Sequence, residues 1–165
     1  DKAKNYWVGL KAELPDTVKS PFVGSSVGYH FYEGTDNRNT TTAQITNSFY
    51  RHTISTNIRL DESWDIQAVY QSGHDENGTL AATAVETDFN GYTLIAGYRD
   101  YDWWYILQYD NVNSSDLPSI EKDRISPSAW YFLRDNFKAG LALRLDLGSA
   151  TVENHEAAFE IRTMF

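Results

Sequence analysis

The residues best equipped for chemistry in this chain are charged or amide side chains, and they recur at even spacings. Arg51, Asn57 and Arg59 are followed by Asp65, Gln67 and Gln71, then by Arg99, Gln108 and Asp110, then by Arg124, Arg144, Glu160 and Arg162. Even spacing in an extended chain puts a run of side chains on one face. Spread over many segments in this way, the charges describe a polar wall rather than one reaction centre. No catalytic set stands out beside them. The histidines are His30, His52, His74 and His155, and no two have the spacing of a metal site. His30 falls on the parity of the charges, His52 and His155 on the opposite one, and His74 in a loop. No GxSxG and no glycine-rich phosphate loop occurs. The acidic stretch HDENGT lacks the spaced oxygen ligands of a calcium loop. The expectation is a protein that is not an enzyme and carries no metal or cofactor.

Composition narrows the class further. The chain has 165 residues, which fits one domain. Its net charge of -9 argues against nucleic acid as a partner. There is no cysteine, so neither a disulfide framework nor a thiolate metal site is available. No apolar run approaches the roughly 20 residues of a transmembrane helix, and no signal peptide is visible at the start.

The elements that carry the charges read as strands. Alternation of apolar and polar residues is nearly continuous, and helical periodicity is scarce. Nine segments fit: residues 5–14, 22–33, 44–60, 64–73, one ending at Arg99, 103–112, 124–134, one opening at Phe137, and the C-terminal one ending at Phe165. Their connections alternate in length. PDTVKS, DES, RDYD and RDN are short, whereas GTDNRNTTTA, SGHDENGTLAATA, NSSDLPSIEK and GSATVEN are long and polar. Short turns at one end and long loops at the other are the habit of a transmembrane β-barrel.

Alternation alone does not say which face points inward. A soluble ligand-binding barrel puts its apolar face inside, and a membrane barrel puts it outside. Aromatic placement favours the second. Trp64, Tyr98, Trp103, Phe137 and Phe165 share the apolar face at the short-turn end, as a membrane-interface girdle would. Tyr29, Tyr50, Tyr70, Tyr92 and Tyr109 lie on the same face nearer the long loops and supply a second girdle.

The last strand, with Phe159, Ile161 and Thr163 at alternate positions before a terminal Phe165, resembles the C-terminal signature of Gram-negative outer-membrane β-barrel proteins. The fold implied is an all-β, antiparallel up-and-down transmembrane β-barrel of about nine visible strands, porin-like, located in the outer membrane. In that family the final strand is read by the barrel-assembly machinery, so Phe159, Ile161 and Phe165 become an assembly signal. The partners implied are outer-membrane lipid, that machinery, small polar solutes and, by resemblance only, further copies in a trimer. Such barrels are normally even-stranded. Nine strands therefore predict that residues 1–165 are the C-terminal part of a larger barrel, unless one strand is miscounted.

On this reading Arg51, Arg59, Asp65, Arg99, Asp110, Arg124, Arg144, Glu160 and Arg162 face a lumen and tune which solutes pass. Arg124, Arg144 and Arg162 form a basic stripe if their heights match, with Lys138 and Arg134 clustered at the short-turn end. Alternatively, Arg144 and Arg162 pair with Glu160 and Asp146 and only satisfy buried charge. Small residues on the polar face, Gly97 and Gly140 among them, leave room for a pore or permit tight curvature. Three functions stay open: a passive channel, a closed barrel with a structural, adhesive or surface-binding role, and a soluble barrel holding an apolar ligand.

Overall fold

A computed structural model of the protein describes residues 5–15, 17, 20–39, 44–77, 86–114, 116, 122–134, 137–147 and 155–163. Phe165, assigned to both the girdle and the assembly signal, lies outside the described residues, as does the side chain of Arg162.

The fold is all-β. Its strands are β1 (Tyr6–Glu13), β2 (Ser26–Asn39), β3 (Gln44–Leu60), β4 (Trp64–Asp75), β5 (Thr87–Asp100), β6 (Trp103–Ser114), β7 (Lys122–Arg134), β8 (Phe137–Asp146) and β9 (Glu156–Thr163). They form one sheet in chain order, every neighbouring pair antiparallel, with β1 and β9 at its edges. Each strand meets the next through its own hairpin, so sequence neighbours become sheet neighbours. Among the described residues, nothing is layered on the sheet. The accessible surface is 11710 Å², against about 8,300 Å² for a compact monomer of this mass.

Two connections differ from the sequence reading. The segment GTDNRN belongs to β2, where Gly34 to Asn39 pair with Phe49 to Gln44 of β3. Only four positions then separate these strands. The link from β1 to β2 is conversely long, running from Leu14 to Ser25. It folds back against the β3–β4 turn: Leu14 N–H donates to Ser25 O at 2.8 Å, Gly24 N–H to Leu14 O at 3.1 Å, and Asp61 N–H to Pro21 O at 3.0 Å. Gly24 takes a φ of 77°, open to glycine at no steric cost. From β3 onward the alternation of short turns and long links holds. His74 lies in β4 rather than in a loop.

Burial differs between the two faces. Phe49, Trp130, Asn47, Thr87, Ser114 and Lys138 are buried on the parity of the charges, and of the buried strand residues named with them only Asn111 of β6 lies on the other. On the other parity Leu10, Ile54, Leu94, Leu107, Leu141, Phe159 and Ile161 are exposed. In β5 the alternation is nearly strict, with Thr87 and Gly97 buried on the polar face and Asp88, Asn90, Tyr92 and Leu94 exposed on the other. A flat sheet would expose both faces alike. Crowding on one face is what a sheet curled toward that face produces.

Candidate functional site

The polar face brings the charges together in two different ways at its two ends. Toward the long links, arginines are paired. The Arg51 guanidinium donates to both carboxylate oxygens of Asp75 at 2.9 and 2.8 Å, and to the carbonyls of Tyr50 and His74 at 2.9 Å each. Phe49 and Phe89 lie beneath it, their ring centres 4.9 and 4.6 Å from the guanidinium carbon. Asn47 adds a bond to Asp75 at 2.9 Å. Arg124 meets Asp146 at 2.7 Å, and Arg144 meets Glu156 at 2.9 Å. Register explains these pairs, since Arg124 stands opposite Asp146 and Arg144 opposite Glu156. Arg144 thus takes Glu156 in place of the Glu160 or Asp146 expected from sequence, while the pairing expected of Arg162 falls on a side chain outside the described residues. Asp110 accepts from Thr93 at 2.7 Å and from Gln108 at 2.9 and 2.8 Å.

Heights do not match along the expected basic stripe. Arg124 and Arg144 are toward the long links, whereas Arg162 stands opposite Lys138 at the short-turn end. Glu160 is opposite Gly140.

Toward the short turns the polar face is built from rings and cations. Lys138 of β8, 9% exposed, lies among Trp104, Trp130 and Phe132, its ammonium 5.1, 4.9 and 5.8 Å from their ring centres. Ring quadrupoles stabilise a cation held this way. Arg99 lies over Phe132 at 5.0 Å. Trp104 and Phe132 are stacked at 6.5 Å. Asp65 does not pair with either neighbouring arginine through a short contact. It accepts from Asn57 at 2.9 Å and Gln67 at 3.2 Å.

The small residues do not simply leave room. Trp130 stands opposite Gly140 and covers it; a Cβ there would fall 2.6 Å from both the Ala129 carbonyl oxygen and the indole. Trp104 covers Gly97 in the same manner, with its Nε1 3.0 Å from where a Cβ would sit. Cross-strand aromatics fill the space that glycine vacates.

Between the β1–β2 link, the β3–β4 turn and this ring cluster lies a cavity of about 650 Å³. Arg59, Arg99, Asp65, Trp104 and Phe132 line it from the sheet, and Pro21 and Val23 from the link. Sequence reasoning found the three charges. It passed over Trp104 and Phe132, although their parity with Arg99 and Lys138 was a usable signal. It could not find the link residues, which reach the cavity only through the fold of that segment.

The apolar face gathers the expected girdle residues. Trp64 and Tyr98 pack at 4.7 Å, and Trp103 packs on Tyr131 at 5.1 Å and on Tyr105 at 5.9 Å. Phe137 shares this face opposite Thr163. Toward the long links the tyrosines interleave with histidines. Tyr29 Oη lies 2.7 Å from His52 Nδ1, Tyr50 stacks on His74 at 5.6 Å, and His74 Nδ1 lies 2.7 Å from an Asp88 oxygen. Phe159 and Ile161 are exposed on the same face of β9. The protein matches no protein-family model and no curated protein.

Proposed function

We propose that this sheet is the wall of an outer-membrane β-barrel channel, its apolar face against lipid and its polar face lining a water-filled lumen through which small polar solutes or ions diffuse passively. The observation that carries the reading is burial on the polar parity. A soluble ligand-binding barrel turns its apolar face inward, and here Trp130, Phe49 and Lys138 crowd the polar face while Leu94, Leu107 and Leu141 stand open. Exposed aliphatic residues in that number form a patch that water penalises and hydrocarbon does not. Aromatic rings near the short turns fit the depth of lipid headgroups.

The lumen reading gives the charges distinct tasks. Arg51, Arg124 and Arg144, each with its carboxylate, make the wall polar without net charge. At the short-turn end Arg59 and Arg99 stand together with Asp61, Glu62 and Asp65, so charges of both signs line the wall there. Planar-bilayer recording on the refolded protein tests the proposal. Discrete conductance steps are expected, together with heat-modifiable mobility on gels. Monodisperse protein in plain buffer, with no conductance, contradicts it. The ring cluster on the polar face favours one further reading, a barrel plugged at that end with a structural or surface-binding role. That reading predicts heat-modifiable mobility without conductance.

A further inference from the structure

The cavity at the short-turn end holds two guanidinium groups in a setting unlike that of the other arginines. Arg51, Arg124 and Arg144 each meet a carboxylate within 2.9 Å. Among the described residues, neither Arg59 nor Arg99 makes such an ion pair. The carboxylate opposite Arg59 in register, Asp65, is engaged by amides instead. Arg59 and Arg99 line one cavity together with Trp104 and Phe132. Lys138 packs against the same two rings. Gly97 lets the Trp104 indole lie close to the wall, because any Cβ would meet it at 3.0 Å. Asp61 and Glu62 of the β3–β4 turn, close to Arg59 in sequence, line the cavity as well and are acceptors only.

We infer that this cavity is a recognition subsite for a sugar acid: its carboxylate on Arg59 and Arg99, its ring laid against Trp104, and its hydroxyls donating to Asp61 and Glu62. Each part of the lining selects one part of such a molecule. Guanidinium forks bind carboxylates in two parallel hydrogen bonds. An indole face takes a ring of C–H groups. The Asp61 and Glu62 carboxylates repel a second acidic group and welcome hydroxyls, so a ring with one charge fits better than a polyanion. A volume of about 650 Å³ is of small-molecule size. This inference rests on the channel reading for its access route, since the subsite faces the proposed lumen.

Calorimetric titration of the full-length protein, refolded in detergent micelles, tests it. The probes are glucuronate, neutral glucose and gluconate, the last an acyclic sugar acid. Glucuronate is expected to saturate a single site, with glucose and gluconate each weaker by about tenfold or more, as loss of a charged hydrogen bond or of ring contact implies. Arg99→Gln and Trp104→Leu should each weaken glucuronate by about tenfold. Arg144→Gln, at the other end of the polar face, should leave it unchanged. Circular dichroism confirms that each variant is folded. Equal binding of glucose and glucuronate, no glucuronate binding by folded protein, or an equal loss in Arg144→Gln overturns the subsite. Bilayer conductance recorded alongside separates the two proposals. Conductance without glucuronate binding overturns the subsite alone, and binding without conductance overturns the channel alone.

Discussion

Arg51 and Arg144 are the same residue type on the same face, yet their surroundings give them different weight. The side chains of Arg51 and Asp75 are 21% and 13% exposed, and those of Arg144 and Glu156 are 51% and 61% exposed. Removing Arg51 leaves Asp75 with the Asn47 bond but no cation, and takes a donor from two carbonyl oxygens. Arg51→Ala is therefore expected to cost about 2–3 kcal/mol, and Arg144→Ala less than about 1 kcal/mol, read from urea unfolding in detergent. Gly140 offers a second residue-level test. A side chain there meets a backbone carbonyl at 2.6 Å, which cannot move aside cheaply, as well as the Trp130 ring. Gly140→Leu should destabilise by roughly 1–3 kcal/mol, with a change in near-ultraviolet dichroism as the indole is displaced. The positions of these charges were legible from parity alone. Their partners were not, because a pair such as Arg124 and Asp146 is set by hairpin register across a connection whose length must be known first.

At the scale of the element, β3 was legible at both ends. Alternation runs to Leu60, and Asp61, Glu62 and Ser63 close it as a tight turn. β2 was not, because Gly34, Asp36 and the asparagines after it are turn formers by type. They stay extended here because β3 offers a full ladder of partners beyond Phe49. Cross-strand hydrogen bonding overrides a weak local preference. The link from β1 to β2 failed in the opposite sense: its apolar Phe22 and Val23 read as strand, yet they belong to a turn closed by Gly24. The two-residue β5–β6 turn carries a cost of its own. Tyr101 has a φ of 48° and is almost fully exposed, so its Cβ is strained with no packing in return. Tyr101→Asn should raise stability by roughly 0.5–1 kcal/mol, visible as a higher melting temperature.

For the whole molecule, period-2 patterning shows two faces of opposite character and is symmetric as to which one points inward. Loop sorting and the placement of the aromatics argue from sequence for the polar face, and the burial of Trp130, Phe49 and Lys138 on the polar parity agrees with them. A charge placed on the opposite face then has a defined penalty. Leu94, at mid-strand between Ala68 and Tyr109, is exposed on the apolar face. Leu94→Arg should cost about 2–4 kcal/mol in a lipid bilayer. The most direct test of the inside–outside assignment uses the absence of cysteine from the sequence, which makes any introduced thiol unique. Single variants Thr93→Cys and Gln108→Cys on the polar face, and Leu94→Cys and Leu107→Cys on the apolar face, would be reconstituted in liposomes and treated with a charged, water-soluble thiosulfonate. The account predicts rapid labelling at positions 93 and 108, and labelling at 94 and 107 only by a lipid-soluble maleimide. Water-borne labelling of 94 and 107 as fast as that of 93 and 108 would contradict it.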